Sequence, residues 1–223
     1  MKHQYKPGNW YLPPGYGSIQ QPTAIGGLYP LEPDPTVLYL FPFLADQDFD
    51  ISALGAFLTG SSDLSNTINF QCAVYNDDEW APTGLPMAAT GNIHVNATNI
   101  TGGFGGDLTS PISIEKDNLY WLGLMADRAS PSGGGDNYFI GVDAENSEMA
   151  RRVGSSTIQG LCPFATGPNF KLLIGMKVPG QTYGTFPDPR GANATLLEVH
   201  ARDSGPGSSA EDPIPLIGFR VRP

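Results

Sequence analysis

The strictest alternation of apolar and polar positions runs over Thr67–Tyr75, where Ile68, Phe70, Cys72 and Val74 fall on one face. A period of two over such a length predicts a half-buried strand. Similar segments recur at turn-separated intervals. Thr36–Ala45 is almost wholly apolar, and Pro42 within it predicts a sheet edge or a bulge. Phe49–Leu58 alternates loosely and stops at Thr59-Gly60-Ser61-Ser62.

An acidic loop is expected over Asn76–Trp80, followed by a turn at Ala81-Pro82-Thr83-Gly84-Leu85-Pro86. Met87–Asn96 predicts another strand, and Gly102–Gly106 a mobile glycine loop. Ile112–Ile114 and Leu119–Ala126, joined by Glu115-Lys116-Asp117-Asn118, read as a hairpin. Ser130–Asp136 reads as a flexible loop before a short strand at Tyr138–Val142. Lys171–Val178, Thr195–Ala201 and Ile214–Val221 predict the later strands. No long stretch keeps apolar residues at helical spacing, and Ala144–Val153 is the one place where a turn or two of helix is expected.

Composition sharpens this picture. Glycine (28) and proline (21) together exceed a fifth of the 223 residues, while 40% hydrophobic content is too high for a disordered chain. Many short strands with many turns is the economical reading. The expected fold is all-β: an antiparallel, jelly-roll-like β-sandwich over 36–223. Ahead of it, residues 1–35 form an extended arm rich in proline and aromatic residues, including Trp10, Tyr11, Tyr16 and Tyr29. Rings of that size are costly to leave in water, so the arm is expected to pack on its own domain or on a neighbouring chain as an assembly element.

Charge excludes several function classes. Charged residues make up 15% of the chain and the formal net charge is −10. Binding phosphates requires clustered Lys and Arg, so nucleic acid is not an expected partner. The first ten residues have no apolar core of a signal peptide, and no stretch approaches a transmembrane helix. The expectation is a protein made in a cytosol, without membrane insertion. Cys72 and Cys162 lie in no metal-type spacing and read as two buried free thiols rather than a disulfide.

Candidate chemistry is sparse. His3, His94 and His200 pair with no second ligand at metal spacing, and no nucleophile elbow, phosphate loop, HExxH or dinucleotide fingerprint occurs. No catalytic residue and no cofactor is therefore expected. Asp46, Asp48 and Asp50 have a DxDxD spacing able to offer oxygens to calcium, but the rest of an EF-hand loop is missing and a polar turn is the simpler reading. Asp77 and Asp78 resemble a carboxylate pair, yet neighbours on one loop rarely face each other across a sugar. Three Asn-x-Thr sequons, at Asn96, Asn99 and Asn193, read as chance in a chain lacking a signal peptide. Tyr75 and Trp80 flank Asp77 and Asp78, which makes these four a hypothetical glycan site in which rings stack on the sugar and carboxylates bind its hydroxyls. Tyr138, Tyr183 and Phe186 are further aromatics beside expected loops.

Several phrases recur in a recognisable order: Asn9-Trp10-Tyr11, Leu38-Tyr39-Leu40-Phe41-Pro42-Phe43, and Phe49-Asp50-Ile51-Ser52-Ala53-Leu54-Gly55. Cys72-Ala73-Val74-Tyr75-Asn76-Asp77-Asp78, Gly84-Leu85-Pro86 and Leu119-Tyr120-Trp121-Leu122-Gly123-Leu124 follow. Together, over about residues 9–126, they resemble a β-sandwich module of bacteriophage tail fibres and other virion appendages. The chain departs from usual tail fibres in lacking a coiled-coil or collagen-like stalk. The resemblance implies a non-enzymatic virion protein, located in the virion, that assembles with other virion proteins and as a homo-oligomer such as a trimer. Attachment to a bacterial surface glycan is the implied function of a tail-fibre, tail-tip or head-fibre component. Capsid decoration is the alternative, and a polysaccharide-degrading or glycan-binding accessory domain the second.

Overall fold

A computed structural model describes residues 5–13, 28–31, 34–60, 68–79, 81–95, 101–127, 137–142, 171–190, 195–200 and 214–223. Among them there is no helix, and every strand pairing is antiparallel. The elements are β1 (Trp10–Tyr11), β2 (Leu28–Leu31), β3 (Leu38–Leu44), β4 (Phe49–Gly60), β5 (Ile68–Asp78), β6 (Ala81–Ala89) and β7 (Ile93–Val95). They continue with β8 (Thr101–Ile114), β9 (Leu119–Ala126), β10 (Asn137–Val142), β11 (Lys171–Val178), β12 (Thr195–His200), β13 (Ile214–Pro215) and β14 (Ile217–Val221).

Two sheets result. In the first, β4 lies between β14 and β8, β1 extends the sheet beyond β14, and β10 joins the C-terminal end of β4 to β2 and β13. The second runs β12-β11-β3-β9-β5-β6, with β7 also on β5. Both sheets contribute to one core. The second supplies Tyr39, Phe41 and Phe43 from β3, Ile68, Phe70, Cys72 and Val74 from β5, and Leu122 and Leu124 from β9. The first supplies Leu54, Ala56 and Leu58 from β4 and Ile217, Phe219 and Val221 from β14.

The loose alternation of β4 has a structural cause. Ala53 pairs with Arg220 and Ile51 with Val221, so Ser52 is an extra residue relative to β14. This bulge shifts the side-chain parity, and Ile51 and Leu54 both reach the core. Pro42 also fits its position, because β3 meets β11 across Leu38–Leu40 while its pairing with β9 runs on to Leu44.

Four sequence expectations are corrected. Gly102–Gly106 is not a loop but part of β8, paired residue by residue with Leu54–Leu58. Gly105 is required by close packing, since a Cβ there would collide with the Trp10 indole, and on the facing strand one on Gly55 would collide with the Phe104 carbonyl. Ile112–Ile114 and Leu119–Ala126 do not form a hairpin. β8 pairs with β4 and β9 with β3 and β5, so the turn at 115–118 is an arch between sheets. Asp117 takes φ 66° in that arch, and its N–H donates to the Ala45 carbonyl at 2.9 Å.

Asn76–Asp78 continue β5, where a loop was expected, and pair with Thr83, Pro82 and Ala81. Ala81–Pro86 is correspondingly strand, and the reversal tightens to the residues around Glu79, at φ 52°. Gly84-Leu85-Pro86 falls within an irregularity of that pairing, which passes from Val74↔Ala88 to Asn76↔Thr83. The possible helix at Ala144–Val153, the loop at Ser130–Asp136, Tyr16 and Cys162 lie outside the described residues.

Candidate functional site

The four residues read as a glycan site are used internally where they are described. Tyr75 is fully buried and its hydroxyl donates to the Pro187 carbonyl at 3.1 Å, so its ring is not available to stack on a ligand. Asp77 accepts the Trp121 indole N–H at 2.8 Å. Asp78 pairs with Arg190 at 2.7 Å, and the same guanidinium donates to the Asp78 carbonyl at 2.6 Å. Trp80 lies outside the described residues.

The partners of Tyr75 and Asp78 belong to the segment that follows β11. The outward-facing side chains Leu38, Leu40, Ala73, Tyr75, Trp121 and Met125 form a second apolar cluster, onto which Tyr183 and Phe186 pack. A sheet buried on both faces explains why β3 and β9 read as nearly continuous apolar runs. The covering segment is pinned along its length. Gln181 donates its N–H to the Thr36 carbonyl at 2.7 Å, Gly84 donates its N–H to Asp188 at 3.1 Å, and the Tyr183 hydroxyl donates to Asn92. Tyr183 and Phe186, singled out in the sequence beside an expected loop, therefore hold a strap against the sheet.

Burial holds the strap phenol Tyr183 and the phenol beneath it, Tyr75, well above the ordinary tyrosine range; the charge of Asp188 adds to the effect at Tyr75 and that of Asp127 at Tyr183. A pKa raised in the folded state means stability that is complete below the unfolded value of about 10 and lost as pH rises past it. Alkaline titration is expected to lower the urea midpoint above about pH 10, with a smaller drop in Tyr75→Phe. Simultaneous, ordinary titration of every tyrosine in the folded protein, followed by ultraviolet difference absorbance, would contradict this.

The aspartates at 46, 48 and 50 do not converge on a cation. Asp48 accepts the Lys116 N–H at 2.7 Å and Asp50 accepts the Ser113 hydroxyl at 2.7 Å. Among the described residues no group of three or more His, Cys, Asp or Glu is placed to hold a metal ion. His94 is exposed, with Nδ1 2.7 Å from the Asn69 side-chain oxygen. Tyr138 pairs with Thr59. No helix among the described residues is long and apolar enough to cross a membrane.

A different site emerges on the outer face of the first sheet. Trp10 and Tyr11 pair with Arg220 and Phe219, and Gly8 donates its N–H to the Val221 carbonyl at 2.9 Å. Tyr11 points inward: its ring lies 4.7 Å from Tyr5 and 6.2 Å from Phe219. Trp10, 46% exposed, points outward over a floor of glycines. Gly218, Gly55 and Gly105 are successive neighbours across β14, β4 and β8. Because they carry no side chains, the indole lies across them beside an open groove of about 350 Å³. Half-buried Phe57 and Phe104 also line it. The Arg220 guanidinium sits 5.9 Å from the Trp10 ring and is held by the exposed Asp107 carboxylate. Tyr29, the other aromatic of the 1–35 segment among the described residues, pairs with Gly141 in the same sheet.

The sequence did contain a signal for this groove, in the glycines of Gly102–Gly106 and Gly55 and in the isolated Trp10. What it lacked was the pairing that superposes them. No protein-family model matches the chain, and no curated protein matches its sequence.

Proposed function

We propose that this chain is a non-enzymatic structural protein of a bacteriophage virion, of the tail-fibre, tail-tip or head-fibre kind, and that it attaches to polysaccharide on a bacterial surface. The attachment half rests on the groove beside Trp10. The indole is about half exposed beside an open groove, and a flat aromatic face suits a sugar ring.

The virion half rests on the sequence likeness. Three of its phrases, on β3, β5 and β9, are carried by strands that lie side by side. Tyr39 pairs with Leu124 and Phe43 with Tyr120, while Cys72 pairs with Leu124 and Tyr75 with Trp121. Two antiparallel sheets contributing to one core suit the jelly-roll-like sandwich that the likeness implies. Other virion proteins and further copies of this chain are the partners that go with this reading.

Antibody labelling of intact virions that carry the chain, imaged by electron microscopy, tests it. Signal on the tail tip or projecting fibres is the expected result. Even labelling over the capsid shell would replace attachment with capsid decoration, and unlabelled virions would overturn the virion reading altogether.

A further inference from the structure

We infer that the groove beside Trp10 is a binding site for a neutral hexopyranose unit of a surface polysaccharide, an inference that rests on the attachment reading above. The walls of the groove set the ligand class. Trp10 and Phe57 supply aromatic surface, and Gly103, which carries no side chain, leaves bare backbone between them. The C–H face of a pyranose is flat and weakly polarised, and it stacks on such rings.

Size argues against a protein in the same place. A volume of about 350 Å³ is at the small end of ligand pockets and takes one or two sugar rings. A stable protein contact buries roughly 800 Å² per partner, far more than this groove offers by itself. Charge argues against an acidic sugar: the chain carries −10 overall, and Asp107, 77% exposed, stands beside the indole. Arg220, the nearby cation, is already held by that carboxylate and by the Ser52 hydroxyl at 3.3 Å. Asp107, largely exposed, places an acceptor for ring hydroxyls next to the stacking face.

The test uses the full chain and saturation-transfer NMR with glucose, galactose, N-acetylglucosamine and glucuronic acid, alongside pull-down on purified bacterial envelope polysaccharide. Wild type is expected to bind at least one neutral sugar and to bind glucuronic acid more weakly. Trp10→Ala is expected to weaken sugar binding by about tenfold or more. Since Trp10 also braces β1, a second variant fills the groove without removing anything. At Gly103 a Cβ would sit 3.4 Å from the Phe57 ring, an ordinary contact, and valine is favoured in a strand. Gly103→Val is expected to abolish sugar binding while leaving the thermal midpoint unchanged or higher.

If wild type retains the polysaccharide but both variants do so equally, the groove is not the site and the attachment reading survives. Preference for glucuronic acid would overturn the neutral-sugar inference alone. Failure of wild type on polysaccharide and sugars alike would remove the attachment reading and this inference with it.

Discussion

Phe219→Ala is expected to lower the stability of the fold by about 3 to 5 kcal/mol, the usual result of truncating a buried phenylalanine. Phe219 is completely buried on β14 at the point where three parts of the chain meet. Its ring lies 4.9 Å from Phe49 and 6.3 Å from Phe43, both stacked, and 5.5 Å from Tyr5, edge-on. Tyr5 comes from the N-terminal segment, Phe43 from the second sheet and Phe49 from β4. Removing the ring leaves a cavity that none of these can fill alone, because each is fixed by its own strand or contacts. A loss of that size is a large share of the roughly 5 to 15 kcal/mol that holds a domain of this kind together. Urea denaturation followed by fluorescence measures it. A loss under about 1 kcal/mol would mean that the aromatic cluster is looser than its geometry implies.

Gly55→Ala is the second large effect, and it acts through backbone. The added methyl would overlap the Phe104 carbonyl oxygen and sit 2.8 Å from the Gly105 Cα. Neither obstacle is the end of a flexible side chain, so β4 and β8 must separate at the centre of the sheet. A loss of about 1 to 3 kcal/mol or more is expected. Gly103→Ala is the control, since its methyl meets the Phe57 ring at van der Waals distance and should change stability by no more than about 0.5 kcal/mol. Equal effects at the two glycines would show that strand propensity governs both, rather than the close approach of β8 to β4.

These glycines also show where sequence reasoning stops. Strand positions were legible wherever side chains alternate or run apolar, as in Ile68–Val74 and Leu38–Phe43, because burial of one face or both leaves a periodic trace. Gly102–Gly106 leaves none, since its reason for lacking side chains sits on Trp10 and on the facing strand. The arch at 115–118 was misread for a related cause. A tight turn between two apolar runs looks the same whether the runs pair with each other or with different sheets, and only the non-local partners of β8 and β9 decide. Tyr75 and Asp78 read from the sequence as an aromatic and an acid near a loop, which is equally the composition of a strap anchor. Pro187, Asp188 and Arg190, which hold it down, lie more than a hundred residues away.

The placement of β1 has a mechanical consequence. It joins the first sheet through a few backbone hydrogen bonds to β14, and Gly8 lies opposite Val221. The two strands are antiparallel, so tension drawn between Tyr5 and Pro223 would load those bonds in series and open them like a zipper, at low force. Peeling the strand would carry away Trp10, one wall of the groove, in the same motion that lifts Tyr5 and Tyr11 off Phe219.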